Sequence, residues 1–579
     1  MITVGTRVAT VAAFTLTSGA AAGAQSALPP QIVQRIDSVF AAYDRPTSPG
    51  CALGVIRDGQ LILGKGYGMS DLQHGVRITP ASVFHVASIS KQFAAMSILL
   101  LERDGKLRLD DDIRTYVPEV PDFGPRITIR HLIHHTSGLR DQWSLLSLSG
   151  WRADDPKSEA DILWLVSRQR ALNFVPGAEH LYSNTGYTLL GTIVRRVSGK
   201  SLREFTTERI FTPLGMTNTH FHDDHTMVVP GRTSAYVPRG GGGRGRGGAP
   251  STTGDFAISI PVFDNAGATS LFTTVEDMAK WERNFLQPTV GDARLIEQMY
   301  VRGRLNSGDS IPYAFALMHG QFRGRSTIGH SGADAGYRAD FLRFPDQRYA
   351  FATLCNIGTA NPSLLNRDVA AIVLAEQLAP AVSLTLAPMP APREVALPPA
   401  ALRAFAGIYL DTISERARMV VFRDSTGTLH PTGGAVSPRL VHVGNDEFVA
   451  TQGAAQIRVQ FLRDGGAVTG VRDVGASSAV FSRMPPPATA RAELALYAGR
   501  YRSEELDSEW TISIGADSAL TLSRRRVPDL RMAPLYRDGF NSGVGAIRFT
   551  RDAGGRVNGF LLSAGRIRHM RFDRTDAAH

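Results

Sequence analysis

The sequence predicts a large mixed α/β region followed by two small antiparallel β units. Three observations carry this. From about residue 31 to 384 the region is mixed α and β, with helices between early and late strands. Two proline-rich breaks then interrupt the chain: one holds Pro388, Pro390, Pro392, Pro398 and Pro399, the other Pro485-Pro486-Pro487. Proline fixes φ and continues neither helix nor sheet, so such runs read as stiff spacers. Finally, the segments after the two breaks repeat one another.

The repeat has an offset near 90. Leu402-Arg-Ala-Phe-Ala-Gly-Ile-Tyr409 resembles Leu494-Ala-Leu-Tyr-Ala-Gly-Arg-Tyr501, Phe448 after Asn445-Asp-Glu resembles Phe540 after Arg537-Asp-Gly, and Phe461-Leu-Arg-Asp resembles Phe549-Thr-Arg-Asp. Both units alternate short apolar runs with Asp/Gly turns, the pattern of a small barrel or sandwich. The expected organisation is a signal segment at 1–24, a main domain at 31–384, a linker at 385–399, and β-barrel (lipocalin-like) units at 400–484 and 490–579. Neither repeat holds an acid–base constellation, so both read as structural.

Composition bounds the rest. The 579 residues carry a formal charge of +10, with 43% hydrophobic and 20% charged residues. That is an ordinary globular balance with ample core for three or four domains. Two cysteines cannot build a disulfide-rich scaffold or a four-cysteine zinc site. Only six of the 63 basic residues are lysines. The arginines are spread along the chain rather than clustered with aromatics, so no nucleic-acid partner is expected. Gly240 to Gly248 is low complexity and reads as a solvated loop.

At the start, Arg7 precedes an apolar stretch, Val8 to Leu16, and Ala22-Gly23-Ala24 fits a cleavage pattern. The mature chain then begins at Gln25 and resides in the periplasm or outside the cell. No later segment is long and apolar enough to span a bilayer.

Within the main region, Cys51 to Ile56 and Leu61 to Leu63 flank Asp58-Gly59 as a hairpin. Gln92 to Leu101 is a helix with apolar residues at Phe93, Met96, Leu99 and Leu100. Phe341 to Phe344 and Tyr349 to Leu354 form a second hairpin.

At the opening of that helix stands Ser88-x-x-Lys91. Residues i and i+3 share a helix face, so the amine can sit beside the hydroxyl. A serine is a weak nucleophile until a neighbouring base takes its proton, and a helix N-terminus aims N–H groups at developing negative charge. Downstream come Tyr182-Ser183-Asn184, where a tyrosine can shuttle a proton and an asparagine can hold a substrate amide, and Gly329-His330-Ser331-Gly332-Ala333 before a strand.

Together these elements resemble the penicillin-recognising serine hydrolases: S-x-x-K, then Y-x-N, then a K-T-G-like triplet. The likeness is greatest to the class C β-lactamase and D-aminopeptidase branch. Ile127-Thr-Ile-Arg-His-Leu-Ile-His-His-Thr-Ser-Gly-Leu139 and Gly267-Ala-Thr-Ser-Leu-Phe-Thr-Thr-Val-Glu-Asp-Met-Ala-Lys-Trp281 are similar to two further motifs of that branch. The resemblance covers residues 31 to about 375. It implies a five-stranded antiparallel sheet flanked by helices plus an all-α lobe, and no metal or cofactor. It implies Ser88 as the acylated nucleophile, with Lys91 and Tyr182 sharing its proton and Asn184 orienting the substrate carbonyl. The backbone N–H groups of Ser88 and Ala333 would form the oxyanion hole. His330, with Ser331 and Gly332, stands in place of Lys-Thr-Gly and would help hold the substrate carboxylate or the Tyr182 proton. The tandem repeats resemble the two barrels appended to D-aminopeptidase, where an accessory loop reaches the active site.

The expected function is therefore an exported serine hydrolase acting through an acyl-enzyme on amides or esters, foremost small peptides or amides containing D-amino acids. An esterase or β-lactamase with the same site, and a non-catalytic penicillin- or peptidoglycan-binding protein, are the alternatives.

Other motifs carry blander expectations. His220-Phe-His222-Asp223-Asp224-His225 matches a zinc pattern, but its position after Pro213-Leu-Gly-Met216 reads as a polar loop. Gly329-His-Ser331-Gly-Ala333 nearly matches a nucleophile elbow but precedes a strand rather than a helix. His131, His134 and His135 read as helix and loop residues. Cys51 and Cys355 fall on strands that the resemblance sets side by side. In an oxidising periplasm they could bridge, but packing as reduced, buried side chains is the favoured expectation.

Overall fold

The computed structural model describes residues 28–239, 255–380, 391–432, 437–452, 455–475 and 479–576. The signal segment, the Gly-rich stretch 240–248 and the first part of the linker lie outside the described residues. Among those described, no helix is long and apolar enough to cross a membrane.

The main region is organised around one antiparallel sheet. Helix α1 (Pro30–Phe40) precedes β1 (Cys51–Arg57) and β2 (Gln60–Tyr67). They are joined by Asp58 and Gly59, both at positive φ (52° and 73°), as a two-residue hairpin of the primed type demands. A helical stretch comes next, including α2 (Ser90–Arg103), α3 (Gln142–Leu148), α4 (Asn184–Ser198) and α5 (Val275–Leu286). The chain returns to the sheet with β3 (Met318–Phe322), β4 (Arg325–Asp334), β5 (Tyr337–Phe344) and β6 (Tyr349–Cys355), then α6 (Pro362–Val373). The spatial order is β3-β4-β5-β6-β1-β2.

The sheet thus has six strands where five are expected. The added edge strand, β3, pairs only with Arg325–Gly329 of β4. It ends where the His330-Ser-Gly triplet begins, leaving that edge of β4 uncovered.

Helices α1 and α6 cover one face of the sheet through Ile36, Phe40, Leu365 and Val369, packed on Leu53, Val55 and Phe351. The other face meets α5 and the helical lobe around α2. Every residue of α2 from Ser90 to Leu101 is buried. A helix buried all round belongs at the centre of a domain, and α2 therefore holds its first turn rigidly.

Cys51 and Cys355 sit directly opposite in the β1–β6 register and form a disulfide. The expectation of reduced thiols is thereby corrected. Antiparallel pairing brings the two side chains to the same face at the same level, which burial alone does not reveal.

Each repeat folds as eight antiparallel strands. The first sheet runs from Gly407 to Met484, with its ends meeting at a Leu429–Leu440 bridge; the second closes as a barrel from Gly499 to Arg574. The repeat is visible in atomic detail. Tyr409 donates to the Phe405 carbonyl at 2.8 Å, and Tyr501 donates to the Tyr497 carbonyl at 2.8 Å. Phe405, Phe448 and Phe461 form one aromatic cluster, and Tyr497, Phe540 and Phe549 form its counterpart. The last hairpin of the closed barrel, β7 (Val557–Ala564) and β8 (Ile567–Arg574), turns through Gly565 and Arg566 against the main domain.

Candidate active site

Ser88 lies in a single 3-10 turn, Ala87–Ile89, just before α2. Ala87 has φ +46°. A non-glycine residue held there carries strain of order 1–3 kcal/mol and persists only when its surroundings fix it. They do: Val86 N–H donates to the Leu271 carbonyl at 2.9 Å, and Ser90 Oγ accepts from Leu271 N–H at 3.0 Å. Gly332 lets β4 close on this turn, since a Cβ there would stand 2.2 Å from the Val86 carbonyl oxygen.

One helical turn on, Lys91 Nζ lies 3.0 Å from Ser88 Oγ, 2.9 Å from Asn184 Oδ1 and 2.6 Å from the Ala268 carbonyl. Lys91 is wholly buried. Burial pushes its pKa well below the ordinary lysine value; Asp141 partly restores it and Arg566 opposes it further. A neutral amine has two N–H donors, which the Asn184 and Ala268 oxygens accept. Its lone pair is then left facing Ser88.

Tyr182 lies across the same cleft. Burial raises its pKa far above the usual phenol value, and contact with Ser88 offsets part of that rise. An amine whose charged form is disfavoured and a phenol whose ionised form is disfavoured thus flank one hydroxyl. The Tyr182 ring packs on His135 with centroids 4.1 Å apart, and the Arg566 guanidinium lies over it at 4.7 Å.

Asn184 opens α4 and is buried. Its backbone N–H and side-chain Nδ2 both donate to Asp141 Oδ2 at 2.8 Å. Its amide is therefore engaged by Lys91 and Asp141, a positioning duty in addition to the expected grip on a substrate carbonyl.

His330 departs from its expected role. Its Nδ1 is 2.7 Å from the Ser331 carbonyl, which must accept, so the Nε2 accepts from the Tyr313 hydroxyl at 3.0 Å. Burial and the neighbouring Lys91 push its pKa down to about 4. It is a neutral ring with both nitrogens occupied, unsuited to holding a carboxylate as a cation or to taking the Tyr182 proton. Ser331 is exposed on the uncovered edge of β4, and Ala333 lines the cleft beside Ser88. Ser331 has no strand–turn–helix around it, which removes the nucleophile-elbow reading.

The cleft is open, about 730 Å³, and Trp143, Phe263, Lys157 and Arg566 share its walls with Ser88 and Tyr182. Three contributors escape sequence reasoning. Asp141 caps α3, accepting from Trp143 and Ser144 N–H, and only its place two residues after the Gly138-Leu139 motif hints at it. His135, at φ +58°, accepts from Leu181 N–H through its carbonyl and from Ser183 N–H through Nδ1, clamping the segment that bears Tyr182. Arg566 comes from the second repeat, and no local motif marks it.

The histidine-rich segment is not the expected loop throughout, because His220-Phe221 forms a short strand beside Leu271-Phe272. The His220 and His222 rings pack on Phe272, and burial pushes both down to about 4. Asp224, His225 and Asp264 do cluster, but His225 Nδ1 already pairs with Asp264 at 2.8 Å.

The Beta-lactamase family model matches residues 36–376. The D-aminopeptidase of Gluconobacter oxydans is 25% identical over 557 residues, covering 93% of this chain and 98% of that protein. The D-aminopeptidase of Brucella anthropi is 25% identical over 545 residues, covering 91% and 95%. The octameric penicillin-binding protein homologue of Pyrococcus abyssi shares the fold with a TM-score of 0.52 at 21% identity, covering 78% of this chain and 99% of that one. The D-amino acid amidase of Ochrobactrum anthropi, solved with L-phenylalanine, has a TM-score of 0.50 at 21% identity, covering 60% and 98%.

Proposed function

The chain belongs to the Beta-lactamase family, and from that premise we propose that it is an exported serine hydrolase that cleaves amide bonds in short peptides or amides containing D-amino acids. The observation that carries the reading is the buried Lys91 amine 3.0 Å from Ser88 Oγ, in a site that favours its neutral form. The curated relatives named D-aminopeptidase supply the substrate class.

In the proposed reaction Ser88 Oγ attacks the scissile carbonyl carbon while its proton passes to Lys91 Nζ. The backbone N–H groups of Ser88 and Ala333 receive the developing oxyanion. Tyr182, protonated at rest, gives its proton to the departing amine and recovers one from Lys91. Water then attacks the acyl-enzyme by the reverse route, releasing acid and free Ser88. Asn184 and Asp141 keep Lys91 aligned.

The test is labelling with a fluorophosphonate, comparing the parent protein with Ser88→Ala. Labelling lost in the variant supports the nucleophile; labelling that survives the substitution overturns it. D-alanine p-nitroanilide, p-nitrophenyl butyrate and nitrocefin then sort amide, ester and lactam turnover. Export through cleavage after Ala24 is read by N-terminal sequencing of the periplasmic fraction, and an intact Met1 there would refute it.

A further inference from the structure

We propose that Arg566, delivered by the β7–β8 hairpin of the second repeat, is a carboxylate-binding residue of the Ser88 cleft, and that the substrate is an acidic peptide or acyl derivative rather than a neutral amide. The inference rests on the serine-hydrolase reading above and narrows its substrate class.

The cleft needs a cation for such a group, and its other candidates are engaged. His330, at the position where the family resemblance puts a cation, is neutral with both ring nitrogens occupied. Lys157 Nζ donates to the Ala153 and Asp155 carbonyls at 3.0 and 2.5 Å. Arg152 is paired with Asp155 at 3.0 Å, and Arg338, which lines the same cleft, donates through Nη1 to the Ala335 and Tyr337 carbonyls at 2.9 and 2.6 Å.

Arg566 differs. A guanidinium has five N–H donors in a planar fork. Among the described residues only its Nη1 meets a carboxylate, Asp141 Oδ2, at 3.3 Å. That oxygen already accepts two shorter bonds from Asn184. The Arg566 side chain keeps 41% of its surface exposed, and it lines the cleft on both sides of Ser88. The Tyr182 ring beneath it orients the fork by cation–π contact.

The hairpin is built to hold this group in place. Asn173 Nδ2 donates to the Arg566 carbonyl at 3.0 Å, and Asn173 Oδ1 accepts from Arg568 N–H at 2.8 Å. Arg140 Nη1 donates to the Arg568 carbonyl at 2.6 Å, and Arg568 pairs with Glu179 at 2.9 Å. Gly565, at φ +59°, allows the turn to pass Ser144, whose Oγ would lie 3.1 Å from any Cβ there. These polar contacts fix a tip whose guanidinium is left with unused donors facing the cleft, an arrangement suited to bidentate capture of a carboxylate.

The carboxylate can sit on the leaving side, as a free peptide C-terminus, or on the acyl side. The experiment separates these by comparing kcat/KM for D-Ala-D-Ala with D-Ala-D-alaninamide, and for N-succinyl- with N-acetyl-D-alanine p-nitroanilide, in the parent protein, Arg566→Gln and Arg566→Lys. At least one acid is expected to outrun its neutral partner by about tenfold or more. That ratio should fall to near one in Arg566→Gln and recover in part in Arg566→Lys. Ratios near one in the parent protein, or an acid preference that survives Arg566→Gln, overturn the proposal. In parallel, N-acetyl-D-alanine and its amide are titrated against intrinsic fluorescence, since Trp143 and Trp151 line the cleft. Binding of the acid but not the amide, lost in Arg566→Gln, supports the anion site even if Ser88 fails to label. Equal or absent responses count against it. Absence of Ser88 labelling in the parent protein would instead defeat the hydrolase reading.

Discussion

One carboxylate oxygen of Asp141 accepts both the backbone and the side-chain N–H of Asn184, each at 2.8 Å. This turns the Asn184 carbonyl oxygen towards Lys91 and makes Asp141 a positioning residue for the general base. It also places a buried negative charge beside the lysine.

Asp141→Ala is expected to slow acylation of Ser88 by about a hundredfold, in line with the loss of a group that orients a general base. Asp141→Asn should retain part of the rate. The measurement is the second-order rate of fluorophosphonate labelling; an unchanged rate in Asp141→Ala would count against the alignment.

The pH dependence has a definite sign. Lys91 acts as a base only when neutral, so acylation should rise with pH through a limb set by a lysine held well below its ordinary value. Arg566 depresses that value further and Asp141 raises it. Arg566→Gln should move the limb to higher pH, and Asp141→Asn to lower pH. Profiles of labelling rate against pH for the three proteins decide this, and opposite displacements would refute it.

Gly332→Ala places a Cβ 2.2 Å from the Val86 carbonyl oxygen, on the segment leading into strained Ala87 and Ser88. Displacing a packed backbone costs of order 1–3 kcal/mol, and the nucleophile moves with it. Labelling should fall at least about tenfold while the far-ultraviolet circular dichroism spectrum stays native. Parental labelling in the variant would show that β4 does not restrain the turn.

The Cys51–Cys355 disulfide ties β1 to β6 across 304 residues of sequence. Replacing both cysteines with alanine is expected to cost about 2–5 kcal/mol, read as a lower denaturant midpoint. Thiol titration of the unfolded, unreduced protein should find none free. Two free thiols would return the pair to the reduced state.

Much of this architecture is legible in the sequence, for physical reasons that differ by element. The β1–β2 hairpin comes from Asp58-Gly59, whose backbone preference is local. The repeats are visible because each must refill the same small core, around Phe448 and Phe461 in one and Phe540 and Phe549 in the other. The Ser88–Lys91 contact is readable from the three-residue spacing. Other features depend on distant segments. His330 is neutral because it is buried and because Tyr313 and Ser331 occupy its ring, and none of this can be read from the triplet. The Cys51–Cys355 bond depends on strand register, and Asp141 looks in sequence like any helix cap.

Arg566 reaches Asp141 across 425 residues of chain. The nucleophile, its base and the proton shuttle all come from the main domain, whereas the cation comes from a separate barrel. The acylating groups and the cation that selects among substrates therefore sit on different folding units, joined by the effect of Arg566 on Lys91. A cut in the proline-rich linker that frees the barrels should not abolish acylation. It should instead leave a less discriminating enzyme, with neutral and acidic substrates consumed alike. Limited proteolysis, with the paired acid and amide substrates assayed afterwards, would reveal that drift.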